Sequence, residues 1–308
     1  MCCIVAYKTE DGWILGKNRD RSYDPSVNFY KNTKGKVTYT AFTDIDTNWC
    51  EGINSKGITM VNASLMVVDD EKALDKAKKK PTAIAHDGVI FKQCLGMKDI
   101  RKIVDHIVKS DVMGFTFVTD GESLYVIENV RERQEVQDIE GKTKIKSDTI
   151  KKSDDIEKEV IKHSTNWFKV SEEDSKIGSF LVRTNHGDVF DDTGYESSTD
   201  DGKSSRHRKE AIESCLKGNK VKSPTDLIKC MSVTPNNTPS YNPVRLKGKC
   251  KLYTTAQFVT VPHEQKMYFK PLHGPCTVNN GKPEDSQNEM IDILKESFNN
   301  FKEFINKV

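Results

Sequence analysis

The sequence predicts an α+β fold, with two antiparallel sheets packed between helical layers in one domain over residues 1–308. Three observations predict it. Hairpin patterns open the chain and recur near residue 120, helix-period segments occupy the middle, and late strands precede a terminal apolar stripe.

Each element has a local reason. Cys3 to Lys8 reads as a strand, Thr9-Glu10-Asp11-Gly12 as an Asp-Gly turn, and Trp13 to Lys17 as the return strand. In "WCEGINSKGITMVNASLMVV", Asn54-Ser55-Lys56-Gly57 is a turn and Ile58 to Val68 a strand. Residues 70–80, rich in Lys, Asp and Ala and ended by Pro81, predict a solvated helix or loop. "IFKQCLGMKDIRKIVDHIVKS" places Ile100, Ile103, Val104, Ile107 and Val108 on one helical face. "GFTFVTDGESLYVIENV" is a second hairpin, turning at Asp120-Gly121. Residues 131–162, dense in charge, predict exposed strands or loops, and "IGSFLVRTNHG" a further strand. An acidic, Ser-rich loop is expected over 188–205, with a helix from about Arg206. "KLYTTAQFVTVPHEQKMYFKPL" predicts two strands joined at Pro262-His263. Met290, Ile291, Ile293, Leu294, Phe298, Phe301 and Ile305 predict a closing helix.

Bulk properties narrow the function classes. A hydrophobic share of 35% with 31% charged residues describes a globular chain with a well-charged surface. A net charge of +2 argues against a dedicated nucleic-acid binder. No apolar run reaches the roughly 18 residues of a membrane span, and the N-terminus lacks the pattern of a signal peptide. The expected location is cytoplasmic. The eight cysteines are scattered, form no C-x-x-C pair, and read as free thiols. There is no G-x-G-x-x-G, G-x-S-x-G or H-E-x-x-H, and "DDGKSSR" lacks the upstream glycine of a phosphate loop, because position 197 is serine. No metal and no cofactor are expected.

Cys2 is the exception among the thiols. An α-amino group titrates near 8 and a thiol near 8.5, so a cysteine that becomes residue one carries its own base. It would need a carboxylate to orient the amine, a cation to favour thiolate, and donors for an oxyanion. Asp20, then Lys17 or Arg19, then an asparagine such as Asn18 could fill those roles. Alternation puts Lys17 and Arg19 on one strand face and Asn18 and Asp20 on the other. Both faces can meet Cys2 only if the strand ends and turns here. Cys3 points to the opposite face, into a core.

An ordered set of segments resembles the N-terminal-nucleophile (Ntn) hydrolases that cleave linear amides: choloylglycine hydrolases, penicillin V acylases and the isopenicillin acyltransferase type. After the leading Met-Cys, their G-R-N-x-D motif stands as Gly16-Lys17-Asn18-Arg19-Asp20 and their G-x-N-x-K-G-x turn as Gly52-Ile53-Asn54-Ser55-Lys56-Gly57-Ile58. "FVTDGESLYVIE", Thr184-Asn185-His186 and Ser204-Ser205-Arg206-His207-Arg208 follow in the family's order. The resemblance implies a four-layer αββα sandwich and an amidase acting on a small N-acyl amide. It implies Cys2 as nucleophile and base after loss of Met1, and Asp20 holding the amine. It also implies Asn185 as an oxyanion donor, Asn62 as a second, and Arg208 polarising the nucleophile. Asn18, Arg19 and His186 are further candidates for contacting substrate or oxyanion. Lys17 replaces the usual arginine and keeps the charge without the planar fork.

Two alternatives accompany this expectation. One is acyl transfer in the same fold. The other is a non-catalytic protein like the Met-Cys group with an N-R-D-E signature, whose glutamate is Arg21 here. A symmetric homo-oligomer through the terminal helix is a further possibility.

Overall fold

The computed structural model describes residues 2–33, 35–45, 47, 49–65, 86–110, 112–131, 134–137, 143–146, 149–151, 157–159, 163–190, 194–195, 199–274 and 276–278. The segment 70–80 and the stripe from Met290 to Ile305 lie outside the described residues. The elements run β1 (Cys2–Thr9), β2 (Gly12–Arg21), β3 (Val27–Asn32), β4 (Tyr39–Asp44), β5 (Cys50–Asn54) and β6 (Thr59–Ala63). Helices α1 (His86–Leu95) and α2 (Ile100–Val108) precede β7 (Gly114–Thr119) and β8 (Leu124–Arg131). Four short strands follow, β9 (Gln134–Gln137), β10 (Thr143–Lys146), β11 (Thr149–Lys151) and β12 (Glu157–Glu159), paired as two small ribbons. The chain continues with β13 (His163–Lys169), β14 (Phe180–Arg183), α3 (Asp200–Gly218), α4 (Pro224–Cys230), β15 (Tyr253–Val261), β16 (Lys266–Pro271) and β17 (Cys276–Val278).

The first sheet has the order β14-β1-β2-β15-β16, and the second β13-β8-β7-β6-β5-β4-β3-β17. Pairing is antiparallel throughout both sheets except at one edge, where β17 runs parallel to β3. Side-chain alternation sorts the core into three layers. Ile4, Ala6, Trp13, Leu15, Phe42, Phe117 and Phe258 pack between the sheets. Val5, Tyr7, Ile14 and Val259 pack under α3 and α4 through Ile212, Leu216 and Leu227. Met60, Val118 and Ile127 pack under α1 and α2 through Phe91, Ile103 and Ile107. The result is helix, sheet, sheet, helix, as the sequence predicts. Edge-on aromatic contacts tie the sheets together, with Phe42 and Phe258 centroids 5.2 Å apart and Phe29 and Phe269 4.8 Å apart.

Where boundaries differ, the cause is local chemistry. The predicted central helix resolves into α1 and α2, because the Asp99 side chain accepts from the backbone N–H groups of Arg101 and Lys102 and starts a new helix. Helix α3 begins at Asp200, so the expected loop over 188–205 ends earlier. Thr199 caps it by accepting from the Gly202 N–H, and Asp200 and Asp201 sit at the positive end of the helix dipole. The acidic, Ser/Thr-rich composition that reads as a loop is in part a helix start. At the β1–β2 turn, Gly12 has φ +133, and a Cβ there would lie 2.5 Å from the Gly121 carbonyl oxygen.

Cys215 and Cys230 form a disulfide with Cα atoms 5.3 Å apart, which corrects their reading as free thiols. Packing α3 beside α4 brings the two together, and sequence spacing alone carries no sign of that. A disulfide is also at odds with the reducing compartment that the cytoplasmic expectation implies. Among the described residues no helix is long and apolar enough to cross a membrane.

The disulfide spans 15 residues, so closing that loop in the unfolded chain predicts about 3 kcal/mol of stabilisation. The double variant Cys215→Ser/Cys230→Ser should lose that amount in urea unfolding. An unchanged midpoint would show that the helices hold without the bond.

Candidate active site

The N-R-D run is not a turn. Strand β2 continues to Arg21 because β15 partners it, Asp20 facing Thr254 and Arg21 facing Tyr253, with a bulge before Ala256. Cys2 faces Arg19 and Cys3 faces Asn18 across β1 and β2. Alternation therefore persists, and Cys2, Lys17, Arg19 and Arg21 share the face toward the second sheet. Cys3, Asn18 and Asp20 share the face toward α3 and α4. The first set shares the face of the Cys2 side chain, and Asp20 of the second connects to the Cys2 backbone nitrogen through Arg208 and Asn185.

That nitrogen donates to Asn185 Oδ1 at 3.0 Å. Asn185 follows β14, which pairs with β1 at Ile4–Arg183, so strand pairing carries it past the end of β1. Its own backbone N–H donates to Ser205 Oγ at 2.9 Å and its Nδ2 to the Ser64 carbonyl at 2.6 Å. Arg208, buried on α3, donates from Nη2 to Asn185 Oδ1 at 3.2 Å and from Nη1 to Cys3 Sγ at 3.2 Å. The same Nη1 lies 3.5 Å from Asp20 Oδ2. Asp20 Oδ1 accepts from Thr254 Oγ1 at 2.8 Å, and its Oδ2 has no hydrogen-bond donor among the described residues.

On the other face, the buried Lys17 ammonium pairs with Glu51 of β5 and sits 5.1 Å from the Trp49 ring centre. Arg19 Nη2 pairs with Asp44 Oδ2 of β4 at 2.5 Å. Tyr23 donates to that same oxygen at 2.8 Å, and Arg21 Nε lies 3.9 Å from it. Burial alone would raise the Asp44 carboxyl, but Arg19 and Arg21 outweigh it and hold the group below its ordinary range.

The adjacent thiols are pushed in opposite directions. Burial favours the neutral form of Cys2, yet the Lys17 ammonium, the N-terminal ammonium and the Arg21 guanidinium together outweigh burial and an opposing Asp20, so its pKa is lowered. Burial dominates at Cys3 despite Arg208 beside it, and raises that thiol to about 11. Of the two, Cys2 is the one whose surroundings favour the thiolate.

Three sequence candidates are not brought to Cys2. Asn62 lies on the helix-facing side of β6, where Nδ2 donates to the Met113 carbonyl at 3.3 Å and to Thr116 Oγ1 at 3.0 Å. Its neighbours Val61 and Ala63 take the face toward the first sheet. Asn18 donates to the carbonyls of Met231 at 2.8 Å and Pro243 at 2.9 Å, which fastens the outer face. His186 joins Thr184 and Ser205 through Nδ1, and burial, followed by Arg206 and Lys209, lowers its pKa to about 4. Sequence reasoning missed Thr254, Ser205, Glu51 and Asp44. Glu51 carries a faint signal, since alternation from Ile53 sets it within a strand. Thr254 carries none, standing 234 residues from its partner.

No protein-family model matches the chain, and no curated protein matches it. Solved structures are similar at low identity. A Caenorhabditis elegans N-acylethanolamine-hydrolyzing acid amidase ortholog matches at 14% identity over 88% of this chain and 100% of that chain, with a TM-score of 0.47. Penicillin V acylase from Agrobacterium tumefaciens matches at 12% identity over 89% of this chain and 84% of that chain, with a TM-score of 0.42. A C2A mutant of the Clostridium perfringens conjugated bile acid hydrolase matches at 11% identity over 92% of this chain and 100% of that chain, with a TM-score of 0.41.

Iodoacetamide at rising pH should label Cys2 with a midpoint below that of an ordinary thiol while leaving Cys3 unlabelled. In Lys17→Met/Glu51→Gln, which removes both members of the neighbouring ion pair, the Cys2 midpoint should rise. Peptide mass spectrometry reads both, and equal labelling of Cys2 and Cys3 would refute the electrostatic distinction.

Proposed function

We propose that this chain is an amidohydrolase that cleaves a linear amide of a small N-acyl compound, with Cys2 as nucleophile once its amine is freed by removal of Met1. The observation that carries the reading is the hydrogen bond from the Cys2 nitrogen to Asn185 Oδ1, a side chain that Arg208 ties to Asp20. A strand that merely began with two small residues would have no need of a buried amide, guanidinium and carboxylate gathered at its first nitrogen.

The chemistry follows from those positions. The free α-amine takes the thiol proton, and Sγ attacks the amide carbonyl carbon, placing negative charge on its oxygen. Asn185 Nδ2 has two hydrogens. One is directed at the Ser64 carbonyl, which leaves the other to donate to the oxyanion. The α-ammonium returns its proton to the leaving nitrogen as the C–N bond breaks, and a thioester to Cys2 remains. Water then attacks the thioester, gives its proton to the amine, and releases the acid and the thiol. Asp20 Oδ2, a buried acceptor with no hydrogen-bond donor among the described residues, is suited to receive the α-ammonium during both steps. Lys17 favours the thiolate by charge alone, which a lysine can do without an arginine's fork. Arg208 acts through Asn185 and Asp20 as a positioning residue.

Brief exposure to a β-lactone probe followed by mass spectrometry of the N-terminal peptide should find Met1 absent and the acyl group on Cys2. Cys2→Ala should abolish amide turnover. Asp20→Asn should lower kcat by about 10²–10⁴-fold, the usual range for losing a proton-transfer arrangement. Retention of Met1 on an unacylated Cys2 would refute the reading and favour the non-catalytic alternative.

A further inference from the structure

Glu128 of β8 shares the strand face of Val126 and Val130, which looks into the space between the sheets, and it is 2% accessible. A buried carboxylate is stable only where donors occupy its oxygens. Here the donors are three successive backbone N–H groups: Asp188 to Oε1 at 2.9 Å, Val189 to Oε2 at 2.9 Å and Phe190 to Oε1 at 3.4 Å. These residues come directly after Asn185-His186-Gly187. Phe190 packs on the core between the sheets, and the Asp188 side chain pairs with Arg183 Nη2 of β14 at 2.5 Å and Lys209 Nζ of α3 at 4.0 Å. The segment beyond Asn185 is thus tied to both sheets and to α3.

Asn185 itself joins the two sheets. Its Oδ1 accepts from Cys2 of the first, and its Nδ2 donates to Ser64, which follows β6 of the second. Ser205 and Arg208 hold it from α3, on the outer side of the first sheet. We propose that Glu128 is a positioning residue for Asn185. By gripping the N–H groups of Asp188, Val189 and Phe190, it moors the chain that carries Asn185 to the second sheet and keeps the second Nδ2 hydrogen aimed at the substrate carbonyl. Bonds from backbone N–H to a carboxylate are charge-assisted and stronger than neutral ones. A displacement of about 1 Å at a catalytic donor can cost about 10²-fold in rate, so the mooring matters to turnover. What Asn185 donates to rests on the amidase reading; that Glu128 sets its place does not.

A double-mutant cycle on turnover of pentanoyl p-nitroanilide tests it. Glu128→Gln keeps the shape of the side chain but replaces one acceptor oxygen with an NH2 donor. It should lower kcat at least tenfold with KM changed less than twofold. In an Asn185→Ala background the same substitution should lower kcat less than twofold, because the group it acts through is gone. Glu128→Asp, which keeps the charge and withdraws it by one methylene, should repeat the pattern if the Gln variant folds poorly. Equal losses in both backgrounds, or no loss in either, overturn the inference and leave the amidase reading standing.

Nuclear magnetic resonance on Cys2→Ala with isotope-labelled asparagine decides the matter without turnover. The Asn185 side-chain NH2 signal is identified as the one absent from Asn185→Ala. Glu128→Gln should speed its hydrogen exchange at least tenfold. The NH2 of Asn18, held by the Met231 and Pro243 carbonyls on the outer face, should exchange as before. That result supports the inference even if the wild type hydrolyses no amide. An unchanged Asn185 signal overturns it, and so does equal acceleration at Asn18, which would make Glu128 a support of the whole fold.

Discussion

Everything at the start of β1 depends on charged pairs buried between two sheets. Lys17 of the first sheet meets Glu51 of the second, and Arg19 meets Asp44, with every one of these side chains at most 1% accessible. Taking such ions out of water costs several kcal/mol each, and the attraction between them returns that only when the geometry is right. An apolar interface of Phe, Leu and Ile tolerates small slips between sheets, because hydrophobic burial is nearly non-directional. The ion pairs do not tolerate them. A slip of one residue would turn Lys17 and Arg19 to the helical side and strand Glu51 and Asp44. The register that pairs these ions also puts Cys2 opposite Arg19.

The same alternation explains why adjacent cysteines differ. Cys2 and Cys3 have the same chemistry and nearly the same burial, 4% and 0%. One faces cations that outweigh its desolvation, and the other faces a guanidinium already shared with Asp20 and Asn185. Reactivity here is a property of the strand face rather than of the residue. Arg208 contributes on the far side by fixing what surrounds the backbone nitrogen. The thiol and the nitrogen of Cys2 are thus addressed from opposite faces of one sheet, by residues of different layers.

This division accounts for what the sequence discloses. The hairpin of β1 and β2, the Asp120-Gly121 turn and the apolar face of α2 were legible because turn chemistry and periodicity act within a few residues. Cys2 and the N-R-D run stood out as candidates for a similar reason. What the run would do was harder to read. Whether Asp20 ends a strand depends on β15, and pairing across more than 200 residues leaves no local trace. The family resemblance implies Asn62 as an oxyanion donor, whereas strand parity turns its side chain toward the helices. The start of α3 was hidden because Thr, Asp and Ser serve loops and helix caps alike.

The outer helices belong to the same logic. Helix α3 carries Ser205 and Arg208, which hold the backbone and side chain of Asn185, and its disulfide to α4 fixes a helix whose neighbouring Met231 carbonyl receives Asn18. Met231 Sδ lies where a Cβ on Gly16 would come within 2.6 Å, so α4 packs closely on β2 at the base of the N-R-D run. The helical layer therefore fixes one face of that strand, while Glu51 and Asp44 fix the other.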